Sequence, residues 1–344
     1  MKERIVYLDV LRCSAIFLVI VLHAMNPILI DAAYYAKPVW YLCMLQNPIN
    51  RIGVPVFFMI SGFLMLSNPK TENISEFYKR HIPRLLIPLI SWNLIYWVWN
   101  AVFNGATLRI SDFFAALINQ GNSYHMWFVY TLIGIYLITP FLKKIVNACN
   151  DYQLLILIGI VLFPTTIRPV LNTVFPLYIY LFPPLMEGYL GFYLAGYLIC
   201  KQQLPQKIRM AVYLGGMIGY AVCVLGNLAA SSPETVESPF NVGYGLNHYL
   251  CATAFIVFVR TLLEKPKIDR LMKSIHIERL SQFVFGIYWC HVIFLDVSGR
   301  LLGNFGTITA TQFLMIQIVL TVLASLIFAF VIGKIPVLRK LLMM

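Results

Sequence analysis

Runs of about twenty consecutive apolar residues recur from one end of this chain to the other, and each is long enough to cross the roughly 30 Å hydrocarbon core of a bilayer as a helix. A chain built this way cannot hide its apolar surface in a water-soluble core, so lipid must be its solvent. Of its 344 residues 60% are hydrophobic and 12% charged, with a mean hydropathy of +0.78, and that charged share is roughly half of what a soluble domain carries. Apolar runs place spanning helices near 5–30, 52–67, 82–103, 124–142, 152–168, 181–200, 208–230, 245–263, 283–302 and 311–333. Val39 to Leu45, before the second run, is either an extension of that helix or an interfacial segment. The expected fold class is all-α: a polytopic membrane bundle of about ten transmembrane helices, forming one integral membrane domain over 1–344 with no fused soluble domain.

Basic residues supply an independent test of that count, because Lys and Arg gather on the cytoplasmic side of a membrane protein. With the N-terminus in the cytoplasm, the inner side holds Lys2, Arg4, Lys70, Lys79, Arg80, Arg84, Lys143, Lys144, Lys201, Lys207 and Arg209. It also holds Arg260, Lys265, Lys267, Arg270, Lys273, Arg279, Lys334, Arg339 and Lys340. The outer side keeps only Lys37, Arg51, Arg109, Arg168 and Arg300. Strict alternation puts both termini in the cytoplasm, in a multi-pass protein of the cell (inner) membrane. The net charge of +12 is therefore a topology signal, and its clusters between apolar runs point away from nucleic acid. Lys2 and Arg4 precede an apolar run as in a signal peptide, but that run carries His23 and lacks a small-residue cleavage site, so it is expected to be retained. The seven cysteines are scattered without paired spacing, so neither a disulfide framework nor a metal site is expected.

Ionisable side chains inside spanning helices are costly, which makes each a candidate functional residue. The first run carries Asp9, Arg12 and His23. Eleven helical residues turn about 1100° and rise about 16 Å, so Arg12 and His23 share a face at different depths. Asp9 and Arg12, three apart, are either an interfacial pair or part of a site. His23 is too deep to snorkel. Glu187, in the sixth run, has a depth similar to that of His23 and either tunes it as a base or bonds a neighbouring helix. His125, at the outer start of the fourth run, is expected to anchor the interface beside Trp127. His291 either bonds a backbone carbonyl or lines a cavity, and Asp296 and Arg300 form an i, i+4 pair. At the inner face, Lys79-Arg-His-Ile-Pro-Arg84 adds basic residues that either mark topology or, with Arg12, form a mouth suited to phosphates. Phosphate-loop, dinucleotide, zinc-protease and serine-hydrolase motifs are all missing from the sequence, so any donor is recognised in another way.

Four segments give the chain a resemblance to a known family. They are Leu8-Asp-Val-Leu-Arg12 with His23 eleven positions on, Val54-Pro-Val-Phe-Phe-Met-Ile-Ser-Gly-Phe63, Tyr124-His-Met-Trp-Phe128 and Phe285-Gly-Ile-Tyr-Trp-Cys-His291. Together they resemble the acyltransferase 3 family of membrane O-acyltransferases, and within it the enterobacterial common antigen O-acetyltransferase type. The resemblance implies a ten-helix core that takes an acyl group, usually acetyl, from cytoplasmic acyl-CoA. It delivers that group to a sugar hydroxyl at the outer face. Arg12 and His23 match the family's essential pair. Where the family often has Arg-x-x-Arg at the start of the third helix, this chain has His81 before Arg84, with Arg80 adjacent. Some members carry a fused extracellular hydrolase-like domain; this chain is expected to finish the reaction alone or with a partner.

The resulting expectation is that acetyl-CoA, the acyl donor, sets its phosphates near Arg12, Arg80 and Arg84 and extends its thioester toward His23. His23, aided by Glu187, then deprotonates an envelope glycan or lipid-linked sugar, or carries the acetyl group itself. The rival reading is a transporter or flippase of a lipid-linked sugar in which His23 and Glu187 relay protons.

Overall fold

The structure is a computed structural model that describes residues 5–164, 188–233, 240, 243, 245–303 and 308–343. Among the described residues the chain is helical with no strand, as the sequence led us to expect. The apolar runs become helices α1 (Val6–Ile30), α2 (Pro38–Arg51), α3 (Gly53–Leu66), α4 (Ile74–Asn104), α5 (Ile110–Ile118), α6 (Trp127–Ala148) and α7 (Asp151–Leu162). They continue as α8 (Leu190–Lys201), α9 (Gln206–Ala230), α10 (Leu246–Leu263), α11 (Pro266–Ser274), α12 (Ile277–Leu280), α13 (Val284–Gly303), α14 (Ala310–Lys334) and α15 (Pro336–Leu342). Eight helical segments among the described residues are long and apolar enough to cross a membrane. The fifth and sixth expected spans are represented by the shorter apolar helices α7 and α8, and 165–187 lies outside the described residues. Val39 to Leu45 is part of α2, which runs almost directly into α3, so the second span is longer than its apolar run implied.

Local chemistry sets the helix ends. Asn73 caps α4 by accepting the Glu76 N–H at 3.1 Å, and Gly105 closes it in the left-handed conformation. Reciprocal capping boxes start α7 at Asn150 with Gln153 and α14 at Thr309 with Gln312. Prolines interrupt helical ladders from within, in α1 and α4 among others: Pro27 has no N–H for the His23 carbonyl, and Pro83 and Pro88 leave the carbonyls of Lys79 and Arg84 without theirs.

The bundle is inverted relative to a soluble protein, with large apolar side chains outside as well as inside. Leu320, Leu323, Ile327, Phe330 and Val331 of α14 are all exposed, as lipid-facing residues should be. Helix α1 runs through the middle, against α2, α3, α10, α13 and α14. The tightest approach is between α3 and α8. A Cβ at Gly62 would strike the Tyr193 backbone, and one at Gly196 would strike the Met59 backbone. Without side chains at these two crossing points the backbones come into van der Waals contact, which is what holds helices together when lipid removes the hydrophobic incentive.

Candidate functional site

The site begins with Asp9, whose side chain is 2% exposed in the first turn of α1. One of its oxygens, Oδ1, accepts both the Ser281 hydroxyl at 2.7 Å and Arg12 Nη1 at 3.2 Å. The expected i, i+3 pair therefore forms, and Ser281 ties it to the segment that leads into α13. Arg12, 32% exposed, keeps the rest of its guanidinium open to a cavity of about 360 Å3. His81 and Arg84 of α4 line the same cavity, with Ser281 and Gln282. Phe77 at 4.6 Å and Tyr136 at 6.0 Å hold the His81 ring in place. Arg80 stands elsewhere: it faces a separate surface hollow with Asn73, Ser75, Glu76 and Lys79.

From this basic end the cavity lining continues to Phe57, Phe128 and Tyr288, the last about 10 Å further along from Ser281. Tyr288 forms a wall between two compartments. Its ring lines the cavity, its hydroxyl donates to the His125 carbonyl at 2.7 Å, and its ring centroid lies 6.0 Å from that of His291.

Beyond that wall three imidazoles meet. His23 stacks on His291 with centroids 5.4 Å apart and planes 24° apart, and Tyr124 closes on it edge-on at 4.9 Å. His125 meets His291 at 5.0 Å and nearly at right angles. His291 is 0% and His125 2% exposed, whereas His23 is only half-buried and so is the accessible member. Nδ1–H of His291 donates to the Tyr288 carbonyl at 2.6 Å, and Ser123 Oγ lies 2.9 Å from Nδ1 of His125. Among the described residues no group of three His, Cys, Asp or Glu side chains could hold a metal ion. What the arrangement can do is acid–base or nucleophilic work at His23 beside two buried rings.

A family model described as an acyltransferase domain matches residues 5–334. The chain belongs to the acyltransferase 3 family. Nothing among curated proteins matches it, and nothing among solved structures does. It is a multi-pass membrane acyltransferase, and among the described residues the imidazole cluster and the basic cavity have chemistry to offer such an enzyme.

The structure of this acyltransferase differs from the sequence reading in instructive ways. Arg12 and Arg84 share one cavity, and Arg80 is not in its lining. Glu187 lies outside the described residues, so its approach to His23 stays an expectation from depth. His125 does not anchor an interface. Loop 119–123 turns it inward: the buried Asn93 accepts the Asn122 N–H at 2.8 Å, Asn100 donates to the Asn122 carbonyl at 2.9 Å, and Gly121 takes φ +97° against Met126. Asn93 was the available signal, since an amide in an apolar span needs a partner. His291 bonds a carbonyl, one of its two expected fates, and Asp296 pairs with Arg300 at 2.8 Å as expected. Trp99 Nε1 donates to Asp296 at 2.9 Å, which adds a tie from α13 to α4.

Proposed function

We propose that this acyltransferase takes an acetyl group from cytoplasmic acetyl-CoA and transfers it to a hydroxyl of an envelope polysaccharide or lipid-linked glycan at the outer face of the inner membrane. The reading is that of the enterobacterial common antigen O-acetyltransferase type. The observation that carries it is the single cavity with Arg12, His81 and Arg84 at one end and Tyr288 at the other, directly beneath the imidazole cluster.

The basic end suits the CoA phosphates, because guanidinium groups bind phosphate oxygens in pairs and keep their charge in a partly buried setting. The apolar lining that includes Phe57 and Phe128 suits a pantetheine arm. His23, about 16 Å along α1 from Arg12, is the group the thioester must approach, with Tyr288 turning aside. It removes the proton from the sugar hydroxyl, or it accepts the acetyl group and passes it on. Glu187 keeps its place as a partner of His23 on grounds of depth. The lysine and arginine bias supports the orientation, with the basic end of the cavity toward the cytoplasm.

The test is reconstitution in proteoliposomes with radiolabelled acetyl-CoA outside and a lipid-linked glycan inside. Label appearing on the glycan supports the reading. Movement of the glycan without CoA release would favour a flippase instead.

A further inference from the structure

Three imidazoles in one cluster raise the question of what the second one does. His291 sits on α13 with its ring sealed from every side, by Tyr288 next to it in the turn, by His125 at right angles and by His23 in parallel. Its Nδ1 lies 2.6 Å from the Tyr288 carbonyl oxygen, which has no proton to give, so Nδ1 carries the hydrogen. In the neutral ring Nε2 then bears only a lone pair. Among the described residues that lone pair is buried with no hydrogen-bond partner. A buried acceptor left unsatisfied is normally eliminated from a fold, because it gives up its bond to water for nothing.

Two imidazoles flank it: His125, at 5.0 Å and nearly perpendicular, fixed through Nδ1 by Ser123 and with its own Nε2 also unpartnered among the described residues, and His23, at 5.4 Å, the half-buried ring that substrate can reach. Imidazoles joined nitrogen to nitrogen have ring centroids about 5 Å apart, and His23 lies 5.4 Å from His291. The two rings are stacked with planes 24° apart, so the bond forms when the His23 ring turns out of that stack about its own side-chain bond. We infer that His291 is a positioning residue for acyl transfer: its Nε2 accepts the N–H of His23, so that the opposite nitrogen of His23 presents its lone pair to the acceptor hydroxyl.

The inference rests on the reading of His23 as the base. When the sugar oxygen attacks the thioester carbonyl, its O–H bond breaks and the proton passes to the free nitrogen of His23. The new O–C bond forms as the C–S bond breaks, and the proton then goes to the departing CoA thiolate. Throughout, His291 holds the other N–H and so stabilises the transient imidazolium. His291 does not touch substrate. Its own ring is locked by the Tyr288 carbonyl, and His125, held by Ser123, prevents it from turning away.

The experiment compares wild type, His23→Gln, His291→Phe and His291→Gln in inverted membrane vesicles of the native host, measuring radiolabel passing from acetyl-CoA into the vesicles' own glycan fraction. His291→Phe fills the apolar site but has no acceptor; its kcat should fall on the order of 100-fold with the KM for acetyl-CoA unchanged. His291→Gln buries an amide but offers an acceptor near the Nε2 position, and should retain about tenfold more activity than the Phe variant. A packing role predicts the opposite ranking. If His291→Phe matches wild type or exceeds His291→Gln while His23→Gln is inactive, this inference alone is overturned. If His23→Gln transfers normally, the reading of His23 as base falls with it. Should the His291 variants fail to fold, nitrogen NMR of isotopically labelled histidine in the wild-type protein decides, with His291 assigned by elimination against variants of the other histidines. A hydrogen on Nδ1 and a bare Nε2 are expected; the reverse tautomer refutes the proposal.

Discussion

Removing Arg12 should produce two separable losses, and the structure says how to separate them. Arg12→Ala deletes a proposed phosphate contact, worth on the order of 1–3 kcal/mol and therefore about 5- to 160-fold in the Kd for acetyl-CoA. It also strips one donor from the Asp9 carboxylate, whose side chain is only 2% exposed, while Ser281 at 2.7 Å stays among its partners. A buried charge that loses a partner costs about 1–3 kcal/mol of stability. The single variant is thus expected to lower the thermal midpoint as well as affinity, and by itself it could be mistaken for a folding mutant. The double variant Asp9→Asn with Arg12→Ala removes the buried charge that lost its Arg12 partner while keeping an oxygen for Ser281. Its midpoint should recover most of what the single variant lost, and its affinity should not recover at all. Detergent-solubilised protein supplies both readouts, calorimetric titration with acetyl-CoA and a thermal-shift series. If the double variant binds acetyl-CoA as wild type does, Arg12 is needed only to neutralise Asp9 and the phosphate assignment is wrong.

Three further expectations follow from the same geometry. Arg84→Ala should weaken acetyl-CoA binding by a similar 5- to 160-fold or so, whereas Arg80→Ala, outside the cavity lining, should leave Kd within about twofold; equal losses in the two titrations would mean that donor phosphates reach the separate hollow. His23→Gln should reduce acetyl transfer by a factor of about 10²–10⁴ while leaving acetyl-CoA affinity intact, since the proposed phosphate contacts lie about 16 Å away along α1; near-normal turnover in proteoliposomes would end the assignment of His23. Gly62→Leu should prevent assembly of α3 against α8, seen as aggregation in size-exclusion chromatography, because its Cβ would already strike the Tyr193 backbone; a monodisperse, active variant would refute the packing argument.

Helix existence was legible because bilayer thickness imposes a length that any apolar run either meets or misses. The run at 311–333 met it on every side and became α14, while Val39 to Leu45 carried too mixed a composition to reveal that it continues α2 toward α3. Arg12 and His23 were legible for a related reason: lipid makes an ionisable residue conspicuous, and eleven helical residues fix its face. Side-chain partners across helices were not legible. Ser281 is 272 positions from Asp9, and a serine near the end of a basic loop looks like any other loop serine. Gly62 and Gly196 were visible as glycines, but which helices they bring together depends on packing that no periodicity encodes.

The same contrast explains why His125 was misjudged. Beside Trp127 and at the end of an apolar run, its local sequence reads as an interfacial anchor. A single non-local device reverses that reading: Asn93, buried on α4, grips Asn122 and draws the loop inward, and the short 3-10 turn at Tyr124–Met126 then delivers His125 to the interior. The cluster that results draws His23 from α1, His125 from a loop clamped to α4, and His291 from α13. Asp9 with Ser281 ties α1 to the start of α13, and Tyr288 with the His125 carbonyl ties α13 to that loop. These ties position the elements that carry the imidazoles, while the rings of His291 and His125 are themselves fixed through Nδ1 by the Tyr288 carbonyl and Ser123, so that each keeps Nε2 for its neighbours in the cluster.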